Sequence, residues 1–561
     1  RFDFEGKREL ANDVNVNFRC KIPRNGDLIN KLYFVINLPD IYSGYDVYVD
    51  DNNVTHEINY NFQWIPSIGT QMITKCTLII GGNKISELYG QWIEIWHELF
   101  LDTAGKNNFD YMVGNVPDVF LPANNGWNAG KYPSSSLSPE YNVDPISANW
   151  YTSEFKSNPF SQPPSIKARK LYVPLPFWFC TNPGLSLPLI ALQYHDVHLE
   201  FEMRPITQLY TIIETRDPKN LRQRTVPLST NSYHHIGNFI TSKPPESFSN
   251  FTNLGDGELN IQGWDMDAHI LGNYIFLDNE ERNLFAKNSH EYLIEQVFRK
   301  EFTGIEGTQQ LNLDFNHPVK YLAWFGQRDD ISTRLNAHNN YTNWLDANIP
   351  PESDAYLELL GVENRDFLYF SQIENYDVSL YTIDTITGEV YDGNGDIADS
   401  QKYILLDTSG TQIIQGKLIP LDEDSSGNRA LLPTKFNFEY YNQDVIKSSR
   451  LLFDGNERYS SQNSDFFKFL QSYQHNFKID KPGIFLYSFS LDPTKYQPSG
   501  ACNLSRQSNV QLEIETSLIK PLTPIGQNFN YQPYQYNIYI YAVNYNILRI
   551  MSGMAGTAFS N

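Results

Sequence analysis

Apolar and polar positions alternate along much of this chain with the two-residue period of a strand that buries one face. Val197, Leu199, Phe201 and Met203 interleave with His198, Glu200 and Glu202. Residues 32–38 are apolar on both faces and predict a central strand, reached from a preceding strand across a Pro-Arg-Asn-Gly turn at 23–26. Residues 171–180 read as a dense apolar strand and 271–277 as another. Strands restart at 291–302 and 309–327. The last run, 534–550, carries Tyr and Ile on both sides. One side predicts core contact, the other a neighbouring element or subunit. Helical spacing surfaces briefly. Trp92, Trp96, Leu99 and Phe100 predict a helix over 86–100 with Ser86 as N-cap, and Asp278 caps a short helix with Glu281 at the capping-box position.

These signals occur twice, in the same order. Residues 72–84 form a strand-like run that closes on a Gly-Asn turn before an aromatic amphipathic stretch, and 445–457 repeat the arrangement. Pro183-Gly184 leads into the strand at 197–202, and Pro498-Ser499-Gly500 leads into the one at 510–515. Between them lie long stretches rich in Asn, Gly, Pro and Ser, at 103–168, 215–260 and 331–435, which read as excursions from the sheets. Many short strands with turn punctuation and no βαβ alternation predict an all-β fold. The expectation is two tandem eight-stranded antiparallel jelly-roll sandwiches, with short helices and long loops, over 1–285 and 286–561.

Composition sharpens this. At 561 residues the chain exceeds one core, and 41% hydrophobic residues, with 36 Tyr and 35 Phe, are ample for two. A net charge of −22 repels phosphate backbones and argues against direct contact with nucleic acid. Cys20, Cys76, Cys180 and Cys502 are far apart and form no Cys-x-x-Cys pair, so they read as buried free thiols of a chain maturing in a reducing compartment. No apolar run is long enough to span a bilayer, and no signal peptide is visible. The chain opens at Arg1 rather than Met, which leaves room for a preceding segment.

Chemistry-bearing patterns are sparse. There is no nucleophile elbow, Walker loop or Rossmann glycine pattern. His97-Glu98 and His290-Glu291 begin like zincin motifs but lack the second histidine. His195 and His198, three apart, would face opposite sides of a strand and so would not share an ion. Asp392-Gly393-Asn394-Gly395-Asp396 departs from a calcium loop at Ile397 and Tyr403, and reads as a polar hairpin turn. The acidic run Asp422-Glu423-Asp424 reads as a solvated loop tip. Asn53, Asn250, Asn340 and Asn503 begin glycosylation sequons. No catalytic, metal or cofactor site is expected. Tyr539, Tyr541 and Tyr545 of the last strand are the candidate subunit contacts. A lectin-like or receptor-binding β-sandwich is the alternative from a different class, with surface aromatics stacking on sugars.

Several segments resemble a known family. They include Gly81-Gly82-Asn83-Lys84-Ile85 with Tyr89-Gly90-Gln91-Trp92; Leu175-Pro176-Phe177-Trp178-Phe179-Cys180 with Asn182-Pro183-Gly184-Leu185; and Ser289-His290-Glu291-Tyr292 with Asn316-His317-Pro318. The closing Tyr541-Ala542-Val543-Asn544-Tyr545-Asn546-Ile547-Leu548-Arg549-Ile550-Met551-Ser552-Gly553-Met554 is the most distinctive. In order and extent the chain resembles the major capsid proteins of the nucleocytoplasmic large DNA viruses. The resemblance implies a double jelly roll and a homotrimeric, pseudo-hexagonal capsomer that tiles an icosahedral shell around an internal membrane, which it approaches only indirectly. It implies contacts with neighbouring capsomers, penton and minor capsid proteins, and assembly in the host cytoplasm. The excursion loops are then the natural place for host receptors or glycans, and no catalytic residue carries over.

Overall fold

The computed structural model describes residues 1–6, 8–41, 45–49, 55–120, 164–214, 224–230, 234–240, 264–343, 444–517 and 534–559, with short strand pairs inside 382–430. Eight strands build the first sandwich: β1 (Phe2–Asp3), β2 (Val16–Ile22), β3 (Leu28–Leu38), β4 (Ile73–Ile80), β5 (Asn83–Tyr89), β6 (Arg169–Pro174), β7 (Val197–Met203) and β8 (His269–Ile275). They pair antiparallel in two sheets, ordered β1-β8-β3-β6 and β2-β7-β4-β5. Eight more build the second: β9 (His290–Ile305), β10 (Thr308–Asn312), β11 (Pro318–Arg328), β12 (Ile446–Phe453), β13 (Asn456–Asn463), β14 (Ile484–Ser488), β15 (Val510–Thr516) and β16 (Tyr536–Met551). Their orders are β9-β16-β11-β14 and β10-β15-β12-β13. Raising each label of the first sandwich by eight gives the second, so the sequence duplication is a duplication of topology. Both are jelly rolls: apart from the β4–β5 and β12–β13 hairpins, neighbours in chain order pass between sheets, and the last strand inserts between the first and third.

The alternation at 197–203 is realised residue by residue, with Val197, Leu199, Phe201 and Met203 buried and the three between them half-exposed. The turn at 23–26 carries the chain from one sheet to the other, since β2 pairs with β7 while β3 pairs with β8 and β6. The Gly-Asn repeat forms two matching hairpins. Gly81 and Gly82 close β4 on β5 with φ of 59° and 85°, and Asp454 and Gly455 close β12 on β13 with φ of 49° and 80°. Helix α1 (Gly90–Phe100) follows the first hairpin, and a helical segment made of Phe466–Leu470 and Gln471–His475 follows the second.

Several expectations need correction. Ser86 is a β5 residue paired with Leu78 and caps nothing; α1 starts only at Gly90, because 83–89 are held in the hairpin. The excursion from 103 opens as helix α2 (Thr103–Val113), capped by the Asp102 carboxylate on the Gly105 amide at 2.8 Å and ended by Gly114 at φ 81°. The strand of 171–180 stops at Pro174, and Trp178–Thr181 is a helical turn. The single strand at 309–327 is broken in two, with His317 at φ 67° just before Pro318. A further antiparallel sheet, Tyr45–Val49, Thr55–Trp64, Tyr210–Glu214 and Arg224–Thr225, extends the first sandwich, and Phe62 stacks on Tyr210 there at 4.7 Å. Asp278 does cap α3 (Asn279–Lys287), accepting from the Glu280 and Glu281 amides, and this helix lies between β8 and β9 in the chain.

Candidate functional site

The two sandwiches share a seam, and strand parity explains it. Along β11, Leu322 and Trp324 point into the second sandwich with Phe485, Ile540 and Ala542. The intervening Tyr321, Ala323 and Phe325, with Tyr541, Val543, Ile484 and Leu486, belong instead to the core of the first sandwich. That outward face is covered by α1. Trp92 packs on Tyr541 with ring centroids 5.1 Å apart and stacks on Tyr321 at 6.4 Å, while Phe100 meets Phe477 edge-on at 6.0 Å. Gly90 lets α1 start close against the preceding turn: a Cβ there would stand 2.2 Å from the carbonyl oxygens of Thr70 and Ile73.

The second apolar side of the last strand is therefore covered by the same chain. Tyr541 is fully buried and Tyr545 is 8% exposed, so neither can form the subunit contact expected of it. Tyr539 is partly buried and stacks on Phe325 at 5.1 Å. Burial pushes the Tyr539 phenol up to about 12 and raises that of Tyr541 further.

Polar groups cross the seam in satisfied pairs. Gln91 Nε2 donates to Gln327 Oε1 at 2.8 Å, and Gln327 donates on to the carbonyls of His338 and Asn340. Gln296 donates to the Ile85 carbonyl at 2.5 Å. Glu94, buried on α1, accepts from Lys481 Nζ of the second sandwich and from Gln71 Nε2 at 2.5 Å. Glu98 accepts the amides of Asp480 and Lys481 at 2.5 and 2.9 Å, and Lys106 bridges Glu98 to Asp480 at 2.8 and 2.7 Å. The Glu94–Lys481 pair is largely withdrawn from water, so desolvation offsets much of its attraction and the pair fixes register more than it adds stability. The seam is thus an apolar contact with a polar lock, and it holds the two sandwiches as one unit.

The remaining candidates fall into structural roles. His97 donates from Nδ1 to the Ile93 carbonyl at 2.6 Å and stacks on Phe109 at 4.1 Å; burial pushes its pKa down to about 4. His290 bonds the Phe285 carbonyl at 2.8 Å. His195 Nδ1 accepts the amide of Ala555 at 3.1 Å, in the C-terminal hairpin of the second sandwich, while His198 lies on β7. Among the described residues, no group of three or more His, Cys, Asp or Glu side chains could hold a metal ion. Cys20 and Cys76 are buried free thiols, and Cys180 and Cys502 are partly buried; burial pushes Cys20 and Cys180 up to about 12. Asn340 is 6% exposed and its side-chain oxygen is engaged by the amide and hydroxyl of Thr342, so the folded chain leaves no room for a glycan there. Asn503 is half-buried and caps a turn through the Ser505 amide. Asn53, Asn250 and the 392–396 turn lie outside the described residues. Sequence reasoning missed Gln91, Gln327, Glu94 and Lys481; the Trp92–Trp96 stripe was the signal that α1 had a partner.

Twin jelly rolls of one topology, joined by a shared apolar seam, define a double jelly-roll protein. Two family models match: Major capsid protein N-terminus over 4–278 and Large eukaryotic DNA virus major capsid protein over 281–556. The major capsid protein of Phaeocystis pouchetii virus is 30% identical, with 100% of this chain and 91% of that one covered. That of Chrysochromulina ericina virus is 27% identical, covering 100% and 92%. Among solved structures, PBCV-1 VP54 aligns with a TM-score of 0.55 at 22% identity over 100% of this chain and 95% of that one. The Faustovirus major capsid protein aligns at 0.52 and 11%, covering 98% and 90%. The chain belongs to the major capsid protein family of large eukaryotic DNA viruses. It is a structural protein of the capsid shell rather than an enzyme, and its place is the virion.

Proposed function

We propose that three copies of this chain close into a pseudo-hexagonal capsomer, and that such capsomers tile the flat facets of an icosahedral shell. The observation that carries the reading is the identical strand order of the two sandwiches, held in one rigid unit by the seam. Two equivalent wedges per chain, repeated by a three-fold axis, present six similar corners, and a six-cornered tile paves a plane. Contacts within the capsomer must be extensive and apolar to be permanent; those between capsomers can be weaker, since many act together. Penton and minor capsid proteins would fill the vertices and bind the inner side. With its acidic balance the chain would meet neither genome nor membrane directly. Assembly would take place in the host cytoplasm, and host receptors or decorating glycans would engage the excursions within 103–168 and 331–435.

The test is mass in solution. Light scattering on the purified chain should give about 194 kDa, three times the 64.8 kDa of one chain, unchanged on dilution. A 65 kDa species at every concentration would overturn the proposal.

A further inference from the structure

The duplication locates the contact that closes the ring. In the first sandwich the helix after the matching hairpin, α1, is buried on the outward face of sheet β9-β16-β11-β14 of the second. Its counterpart in the second sandwich, Phe466–His475, has no such cover among the described residues. Phe467 and Gln471 face inward, with Phe467 5.1 Å from Trp324. Phe469, Leu470 and Tyr473 stand 65%, 42% and 87% exposed, and Leu491 beside them is 79% exposed. Large apolar side chains grouped at this density mark an interaction surface.

The matching receptor is in part uncovered. The first-sandwich counterpart of sheet β9-β16-β11-β14 is β1-β8-β3-β6. Its register places Tyr33, Leu271 and Pro174 in one outward row, and Val35, His269 and Tyr172 in the next. Tyr172 is exposed and Tyr33, Leu271 and Pro174 are half-exposed, while Val35 and His269 are already buried within the chain; the equivalent rows of the second sandwich are sealed by α1. Lys31 and Lys170 flank the receiving rows; Asp465, exposed at the start of the helical segment, is already paired with Lys468 at 3.6 Å. The surface also continues the seam, because Phe469 borders a cleft of about 390 Å³ that it shares with Leu101 and Thr103 of the first sandwich.

We infer that the Phe469–Leu470–Tyr473 face of one chain docks on the outward face of sheet β1-β8-β3-β6 of a second copy, repeating between subunits the contact that α1 makes within one. The inference rests on the three-fold reading above and adds its surface. Such a contact is head-to-tail, and it closes when the rotation between one sandwich and the next is near one sixth of a turn.

Two variants test it from opposite sides: the double variant Phe469→Asp with Tyr473→Glu, and Tyr172→Glu on the receiving sheet. All three side chains are exposed in the single chain, so thermal unfolding of the dissociated chain should show it folded. Each variant should fall from about 194 kDa to about 65 kDa by light scattering, while the unaltered chain stays at three times 64.8 kDa. Variants that remain trimeric beside a trimeric parent would overturn this surface and leave the three-fold reading standing. A monomeric parent would overturn both.

Discussion

The buried carboxylate of Glu94 sets the energetic stakes of the seam. Its partner Lys481 comes from the other sandwich, and both are largely withdrawn from water. Lys481→Met strands a buried negative charge, and the expected loss is about 3 kcal/mol in urea unfolding. Pairing it with Glu94→Gln should recover most of that, because a neutral amide keeps the Gln71 and Tyr341 contacts without an unpaired charge. His97 supplies a pH signature. Its folded pKa, pushed down to about 4, lies below the unfolded value of 6.5. Above pH 6.5 it is neutral in both states and contributes no pH dependence. Between pH 6.5 and 4 the unfolded chain takes up a proton that the folded chain refuses, so stability falls, by about 3 kcal/mol in all. Urea midpoints followed across that window should fall less steeply for His97→Gln than for the parent; parallel curves would contradict the assignment.

Helix α1 is the element on which the arrangement turns. Trp92→Ala would open a cavity facing Tyr541 and Tyr321 and should cost about 3–5 kcal/mol, measured by denaturant unfolding. Much at this scale was legible in the sequence. The alternation at 197–203 and the repeated Gly-Asn turns marked strands and hairpins that the structure places one for one. The Asp278 cap was legible too, since capping is a local contest for backbone amides. What local pattern could not supply was partnership. Residues 83–89 pair with β4 before any helix can begin, so Ser86 was misread as a cap. Thr103–Val113 looked like loop because its Gly, Lys and Asn residues dilute the helical period, and only Phe109 and Val113 are buried. Tyr541 looked available to another subunit because its cover, α1, lies some 450 positions earlier in the chain.

For the whole molecule, the continuous core predicts a single cooperative unit. Tyr321, Phe325 and Tyr541 of the second sandwich are counted in the core of the first, so one cannot melt without baring the other. Calorimetry on the dissociated chain should give one transition, and two well-separated ones would mean that the seam is weaker than its burial implies. The same rigidity is what a tile requires, since a hinge between wedges would let six corners drift out of register. The most direct measurement is single-particle imaging of the purified oligomer viewed down its axis. The account predicts a closed ring of six similar lobes with three-fold symmetry, two lobes to each chain. Images of isolated two-lobed particles, or of rings with any other number of lobes, would contradict it.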